Sequence, residues 1–399
     1  MANGYDLPIE LWALIGECSN TYADYIQFRA VCSSWRNILP KWPIKFTNIP
    51  CLMLPYFHPN YQNFRSFYNP FNHEIFYLDL PQSKDQFCPG SSNNGWLITL
   101  ENDHNLKLLN PLTNSQFPLP PISSFSNIPN YVPAQNESPI IHPMFDNFTL
   151  SQILVHVLYL DKIVLSPSPP PSNDFTAVAI HGKFSRLSFT TLGKNEWTEI
   201  PTSSSNFHDS VIFNRKVYAI NSRAELWASN IENPTKMVNL GLKRLRLGKR
   251  SKLYLVKMDN NDDELFMVER WLNIEPLLDQ PWVNYFNPDY ETTGFNLFKV
   301  DFRNNERFKW IKVNNLDDYP TIFLGLNSSI SFKCCNGLFN GNRIYYSDDQ
   351  TNRHIYSHLG GHDFGVFDIA SKSCRRLLDD RRLISNFVWP PPIWVTLKD

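Results

Sequence analysis

The spacing of apolar positions changes once along the chain, near residue 50. Between Leu7 and Leu39 they recur at helical intervals. Leu11, Leu14, Ile15 and Cys18 mark one face, and Phe28, Val31, Cys32, Trp35 and Leu39 mark another. A polar break at Ser19, Asn20 and Thr21 separates them. Pro8 suits the first position of a helix, where its missing N–H costs nothing. Asp6 and Glu10 place negative charge at that helix's positive end. Thr21 or Asp24 is a candidate cap for the second helix, which is expected to split around residues 32–34. Two or three helices of this size cannot bury a core of their own. Their apolar faces therefore either cap the following domain or dock on another protein.

From about Cys51 the pattern changes to short strands with turn residues between them. Strand-like runs are expected at 96–100, 105–109, 176–180, 183–190, 197–200, 210–220, 225–229, 252–257, 264–271, 295–302, 308–313, 343–347, 365–369 and 385–389. A β-sandwich rarely uses some 340 residues in one sheet pair. A β-propeller of six or seven blades, at about 45 residues each, uses them all. Weak internal similarity agrees. Residues 211–220 resemble 337–347, each a strand, a polar turn and a strand with a tyrosine. Residues 187–200 and 298–313 share a second hairpin type, with Trp197 and Trp310 in matching places, and 110–119 read as a third copy. The fold class is thus mainly β with a small α head. Stretches near 115–150 and 166–174, rich in Pro, Asn and Ser, are expected to be low in structure. The latter reads as a stiff connection.

Composition narrows the function. The chain has 399 residues, 42% of them hydrophobic, with 37 basic against 38 acidic residues and a net charge of −1. That balance speaks against nucleic-acid or membrane-surface partners. Seven cysteines without a C-x-x-C pattern suit neither a disulfide framework nor a zinc ribbon. The first residues lack a signal-peptide pattern, and no apolar run is long enough to span a membrane. The expected location is nucleus and/or cytoplasm, and the sequons at Asn147 and Asn327 are then chance matches.

Catalytic signatures are missing: there is no G-x-S-x-G, G-x-G-x-x-G or H-E-x-x-H. His208, Asp209 and Ser210 have the residue types of a triad. As neighbours on a strand, however, they point to alternating faces and cannot relay a proton. His354, His358 and His362 have a spacing of four, but Gly360 and Gly361 break the helix that would align them on a metal. No metal or cofactor is expected. Six positive charges in the ten residues 243–252 read either as a nuclear import signal or as an exposed edge strand guarded by charge.

The helical head resembles an F-box. The resemblance rests on Leu7-Pro8, on Glu10-Leu11, on an apolar position four later, and above all on residues 28–36 (FRAVCSSWR). It implies docking on a Skp-type adaptor and, through it, a cullin-based ubiquitin ligase. It implies Leu7, Pro8, Leu11, Ile15, Ile26, Phe28, Val31, Cys32 and Trp35 as docking residues, some of which must instead hold the small helices together, Trp35 foremost. Residues 163–166, 197–198, 209–213, 217–220, 323–329, 341–349, 365–368 and 390–394 resemble the plant DUF295 domain that commonly follows an F-box. The middle, at 115–150 and 258–292, departs from it, so insertions are expected there. The implied organisation is an F-box at 1–46 and a propeller-like domain at 47–399. The implied role is a non-catalytic receptor that holds an unidentified target protein for ubiquitination. The alternative is a propeller enzyme or small-ligand binder with an incidental helical cap.

Overall fold

Three short helices precede six small sheets that follow one another along the chain. The computed structural model describes residues 7–18, 22–39, 49–58, 61–83, 86–101, 104–126, 159–168, 172, 174–232, 234, 236–242, 245–248, 250–259, 264–274, 290–302, 308–316, 319–333, 342–349, 363–377 and 391–398. The helices are α1 (Ile9–Glu17), α2 (Tyr22–Ala30) and α3 (Ser33–Ile38). Blade 1 contains β1 (Pro50–His58), β2 (Tyr61–Tyr68) and β3 (Ile75–Asp79). Blade 2 contains β4 (Phe87–Ser91), β5 (Leu97–Leu100), β6 (Leu106–Leu109) and β7 (Gln116–Leu119). Blade 3 contains β8 (Leu160–Leu165), β9 (Thr176–His181), β10 (Arg186–Thr191) and β11 (Thr198–Glu199). Blade 4 contains β12 (Phe207–Phe213), β13 (Lys216–Asn221), β14 (Leu226–Asn230) and β15 (Val238–Asn239). Blade 5 contains β16 (Ser251–Lys257), β17 (Leu265–Ile274), β18 (Tyr290–Asp301) and β19 (Lys309–Val313). Blade 6 contains β20 (Thr321–Leu324), β21 (Ile330–Phe332), β22 (Arg343–Tyr346), β23 (Gly365–Asp368) and β24 (Ser373–Arg376).

The last strand, β25 (Ile393–Thr396), returns to blade 1. It pairs antiparallel with β1, from Pro50 opposite Thr396 to Met53 opposite Ile393. This seam closes a six-bladed propeller and removes the open edge a linear array of sheets would leave. Trp394 on β25 is fully buried and meets Phe323 of blade 6 edge-on, with ring centroids 5.0 Å apart.

Each blade is covered on both faces, which explains why its strands read as apolar runs. Alternate residues of one strand feed different cores. On β16, Leu253 and Leu255 pack into blade 4, while Tyr254 and Val256 pack into blade 6. On β1, Cys51 and Met53 face blade 2, and Leu52 and Leu54 face blade 6. At Gly90 on β4 an added Cβ would collide with the carbonyl of Ile163 on β8. Blades 2 and 3 therefore approach there as closely as a glycine allows.

Several expectations need correction. The stretch read as poor in structure from 115 opens with β7, the outermost strand of its blade. Pro118 is tolerated there because an outer edge leaves its missing donor unneeded. The strand expected from 183 starts at Arg186, since Gly182 and Ser185 both have positive φ, +76° and +43°, and turn the chain. The basic run contains no edge strand among its described residues before β16. Leu245 and Leu247 there anchor a connection against the core between blades 4 and 5, leaving Arg246 and Arg250 exposed. The expected insertion near 258–292 includes an extension of the β17–β18 ribbon out to Ile274 and Tyr290. The similar hairpins at 187–200 and 298–313 are the outer strand pairs of their blades, and 110–119 supplies the last turn and outermost strand of its own. Residues 337–341, 385–389 and the three spaced histidines lie outside the described residues.

Candidate adaptor-binding face

The head is held together by aromatic rings. Trp35 of α3 lies 4.2 Å from Trp12 of α1 and 4.4 Å from Phe28 of α2, centroid to centroid. Gly16 is buried against Leu39 and Phe28, so the missing side chain lets α1 meet the other two helices. Tyr25 and Leu39 are also buried, and burial pushes the Tyr25 pKa up. Pro8 stands just before the first helical residue as N-cap, with Glu10 in the first turn. Asp24 lies inside the first turn of α2, so it is not the cap, and Thr21 lies outside the described residues. Cys32 is the extended N-cap of α3, its Sγ accepting from the Trp35 N–H at 3.5 Å.

What these rings do not cover is apolar. Leu7, Ile9, Leu11, Leu14, Ile15, Ile26 and Val31 are each 41–61% exposed. They are seven of the eleven large apolar side chains that stand exposed among the described residues. The described propeller contributes only Phe184, Leu192, Val238 and Trp271. Exposed apolar surface of this kind is what an interaction site presents. Of the docking residues expected from sequence, Leu7, Pro8, Leu11, Ile15, Ile26, Val31 and Cys32 are exposed. Phe28 and Trp35 are half-buried and face each other. Ile9 and Leu14 join the exposed set and Trp12 joins the internal stack; none of the three was singled out for docking. Helix α1 is apolar on every side between Glu10 and Glu17, so its periodicity could not tell the inner face from the outer. The aromatic triplet Trp12, Phe28 and Trp35 was the available signal.

Two buried polar networks tie the blades together. On the propeller axis Lys162 of β8 pairs with Asp209 of β12 at 2.7 Å. The other Asp209 oxygen accepts from the Leu255 N–H of β16 at 2.9 Å and from the Ser329 hydroxyl at 3.3 Å. One carboxylate thus joins blades 3, 4, 5 and 6. Its neighbours go elsewhere, as alternation on a strand requires. His208 Nδ1 accepts from the Leu253 N–H at 3.2 Å, and burial together with Lys252 pushes its pKa down to about 4.

The second network surrounds Arg270 of β17, which is fully buried. Its guanidinium donates to Thr292, Tyr254, the Ser347 carbonyl, Asp349 and Asp363, at 2.7–3.2 Å. Tyr346 covers it at 4.8 Å. Lys252 also reaches Asp349, at 2.8 Å. Burial pulls the Asp349 pKa up, but Lys252 and Arg270 outweigh it and hold the carboxyl below its usual range. At Asp363 burial wins over Arg270, and the pKa is raised. Every partner in both networks is a structural tether between strands, and no group of three or more metal-ligating side chains occurs among the described residues. No described helix is long and apolar enough to cross a membrane.

These features define a class: a β-propeller preceded by a small helical head that exposes apolar side chains. The chain belongs to the KIB1-4 beta-propeller family, whose model matches residues 67–368. It is similar over nearly its whole length to F-box proteins of Arabidopsis thaliana. F-box protein SKIP23 is 25% identical, covering 99% of this chain and 96% of its own. F-box protein At2g17036 is 26% identical, covering 98% and 94%. The resemblance to plant F-box proteins thus extends from the helical head through the propeller. Among solved structures, the Cps50 (Swd1) β-propeller domain of Myceliophteria thermophila aligns at 8% identity and a TM-score of 0.34, over 83% of this chain and 85% of that one.

Proposed function

We propose that this chain is the substrate-recognition subunit of an SCF-type ubiquitin ligase. The head, residues 1–46, binds a Skp-type adaptor and through it a cullin. The propeller domain, of DUF295 type and spanning residues 47–399, holds a target protein for ubiquitination. The observation that carries the reading is the set of exposed apolar side chains on the head, in a chain whose relatives are named F-box proteins. The chain's role is proximity rather than catalysis. Tethering a target beside the ubiquitin-carrying partner makes an encounter between two molecules effectively intramolecular. Burying each large apolar side chain contributes about 1.5–3 kcal/mol. Four or five of them therefore offset an association cost of about 4–15 kcal/mol. A ligase receptor of this kind works in the nucleus and/or cytoplasm, and the run of basic residues at 243–252 would serve as an import signal.

The test is co-purification of the intact chain with a Skp-type adaptor, beside a Leu7→Ala/Pro8→Ala double variant. Capture by the parent and loss in the variant supports the reading. A folded parent that captures no adaptor removes it.

A further inference from the structure

In blade 5 the outermost strand is shorter than its neighbour. β18 runs twelve residues, but β19 pairs only with its last five, from Leu297 opposite Val313 to Asp301 opposite Lys309. Past Val313 the chain leaves this lane. Leu316 is buried in the core between blades 5 and 6, and its N–H donates to Asn342 Oδ1. At the far end the Thr292 N–H is taken by Asp363 at 3.0 Å. Between these limits, at residues 293–296, no described strand pairs with the outer side of β18. An open strand edge is a template for another strand.

A cavity of about 180 Å³ lies on this edge, and side chains from both faces of the blade line it. Trp271 of β17 is on the blade 4 face, by alternation from Met267. It stands opposite Gly294, and its ring passes 3.1 Å from where a Cβ on that glycine would be. The missing side chain therefore lets the indole lie over β18 and reach the cavity, 38% exposed. Lys312 shares this face, since its partner Phe298 packs toward blade 4. On the other face Phe295 meets Phe367 of blade 6 at 5.2 Å, and Lys372 stands beside them. A strand continuing the lane of β19 would send its alternate side chains to just these two sides. Both lysines are exposed, and no carboxylate is among the described residues that line the cavity. The nearest on this edge, Asp363 and Glu291, lie at the far end, and Asp363 is held by Arg270.

We propose that this lane receives an extended acidic segment of a partner protein as an added strand. Its main chain pairs with residues 293–296, its carboxylates face Lys312 and Lys372, and an apolar side chain packs on Trp271. Main-chain pairing supplies affinity in such an arrangement, and the flanking side chains supply specificity. The added strand is short. The register shift between Trp271 and Leu272 leaves Thr293 without a partner on β17, and a bulge of this kind twists the edge away. Reading the partner as the ligase's target rests on the receptor function proposed above; the docking itself does not.

The full chain is titrated, by fluorescence polarisation, with a labelled nonapeptide of alternating valine and glutamate. A valine–lysine twin and a valine–glutamate twin methylated on its backbone nitrogens are titrated beside it. The acidic peptide is expected to bind about tenfold or more tightly than either twin. Lys312→Glu/Lys372→Glu is expected to reverse the preference, favouring the lysine peptide by about fivefold or more. Trp271→Ala is expected to weaken the acidic peptide by about tenfold. All three side chains are exposed, so both variants should melt with the parent. Adaptor capture is scored on the same preparations, so a failure here is told apart from a failure of the receptor function. The proposal is overturned if the acidic peptide does not bind or if the methylated twin binds equally well. It is also overturned if the preference for glutamate survives the lysine substitutions, or if Trp271→Ala leaves binding unchanged.

Discussion

Arg270→Met is the substitution that most directly tests how the ring is held. The arginine spans blades 5 and 6, and its donors reach five residues. Methionine fills a similar volume but supplies none of them. Asp349 keeps Lys252 at 2.8 Å, and Asp363 keeps only Thr292, through its N–H at 3.0 Å and its hydroxyl at 2.8 Å. One buried carboxylate thus loses its only charged donor among the described contacts. Removing one partner of a buried pair costs about 3–5 kcal/mol, a large share of the 5–15 kcal/mol that holds a typical protein folded. Arg270→Lys keeps the charge but not the fork, so a smaller loss of about 2 kcal/mol is expected. The control is Lys107→Ala, whose partly exposed pair with Glu101 at 2.7 Å is worth at most about 1 kcal/mol. Guanidinium unfolding followed by tryptophan fluorescence reads all three as midpoint shifts at constant slope. If Arg270→Met unfolds within about 1 kcal/mol of the parent, or no earlier than Lys107→Ala, the network does not join the blades and the reasoning is refuted.

Closure of the ring makes Trp394→Ala costly, about 3–5 kcal/mol by the same assay, because the fully buried indole leaves a cavity against Phe323; a loss under 1 kcal/mol would show the seam to be dispensable. His181 is 98% buried, and burial, with a small opposing effect from Glu199, pushes its pKa down to about 4. The unfolded chain therefore binds the extra proton below pH 6.5, and stability falls by up to about 1.4 kcal/mol per pH unit between pH 6.5 and 4. His181→Gln should flatten that slope by up to one proton, and an unchanged slope counts against the assignment. Cys18 and Cys32 are exposed on the head, while burial holds the Cys88 thiol up at about 11 and the Cys51 thiol at about 12. Native alkylation read by peptide mapping should label the first two and spare the others, and bound adaptor should protect Cys32; equal labelling with and without adaptor places the interface elsewhere.

Local features were legible in the sequence, and long-range ones were not. The change of apolar period at residue 50 gave away the helical head, and turn residues at regular intervals gave away the strands. Blade number was not legible, because it is fixed by a seam between Pro50–Met53 and Ile393–Thr396, ends of the chain that no local window joins. The outer face of α1 was hidden for the opposite reason: nearly every position there is apolar, and only the stack of Trp12 on Trp35 selects the inner side. The buried roles of Asp349 and Asp363 were not legible, since the arginine that holds them lies 79 and 93 positions away. Leucines interleaved with arginines near 245 imitate a strand, although they anchor a connection.

Isothermal titration of a purified Skp-type adaptor into the intact chain, and into a Leu11→Ala/Ile15→Ala variant, tests the central claim. Both side chains are exposed in the free protein, so the variant should fold and melt as the parent does. If they are buried in the complex at about 1.5–3 kcal/mol each, the double variant should bind about 10²-fold or more weakly. An adaptor that binds parent and variant alike, or that does not bind the folded parent at all, contradicts the account.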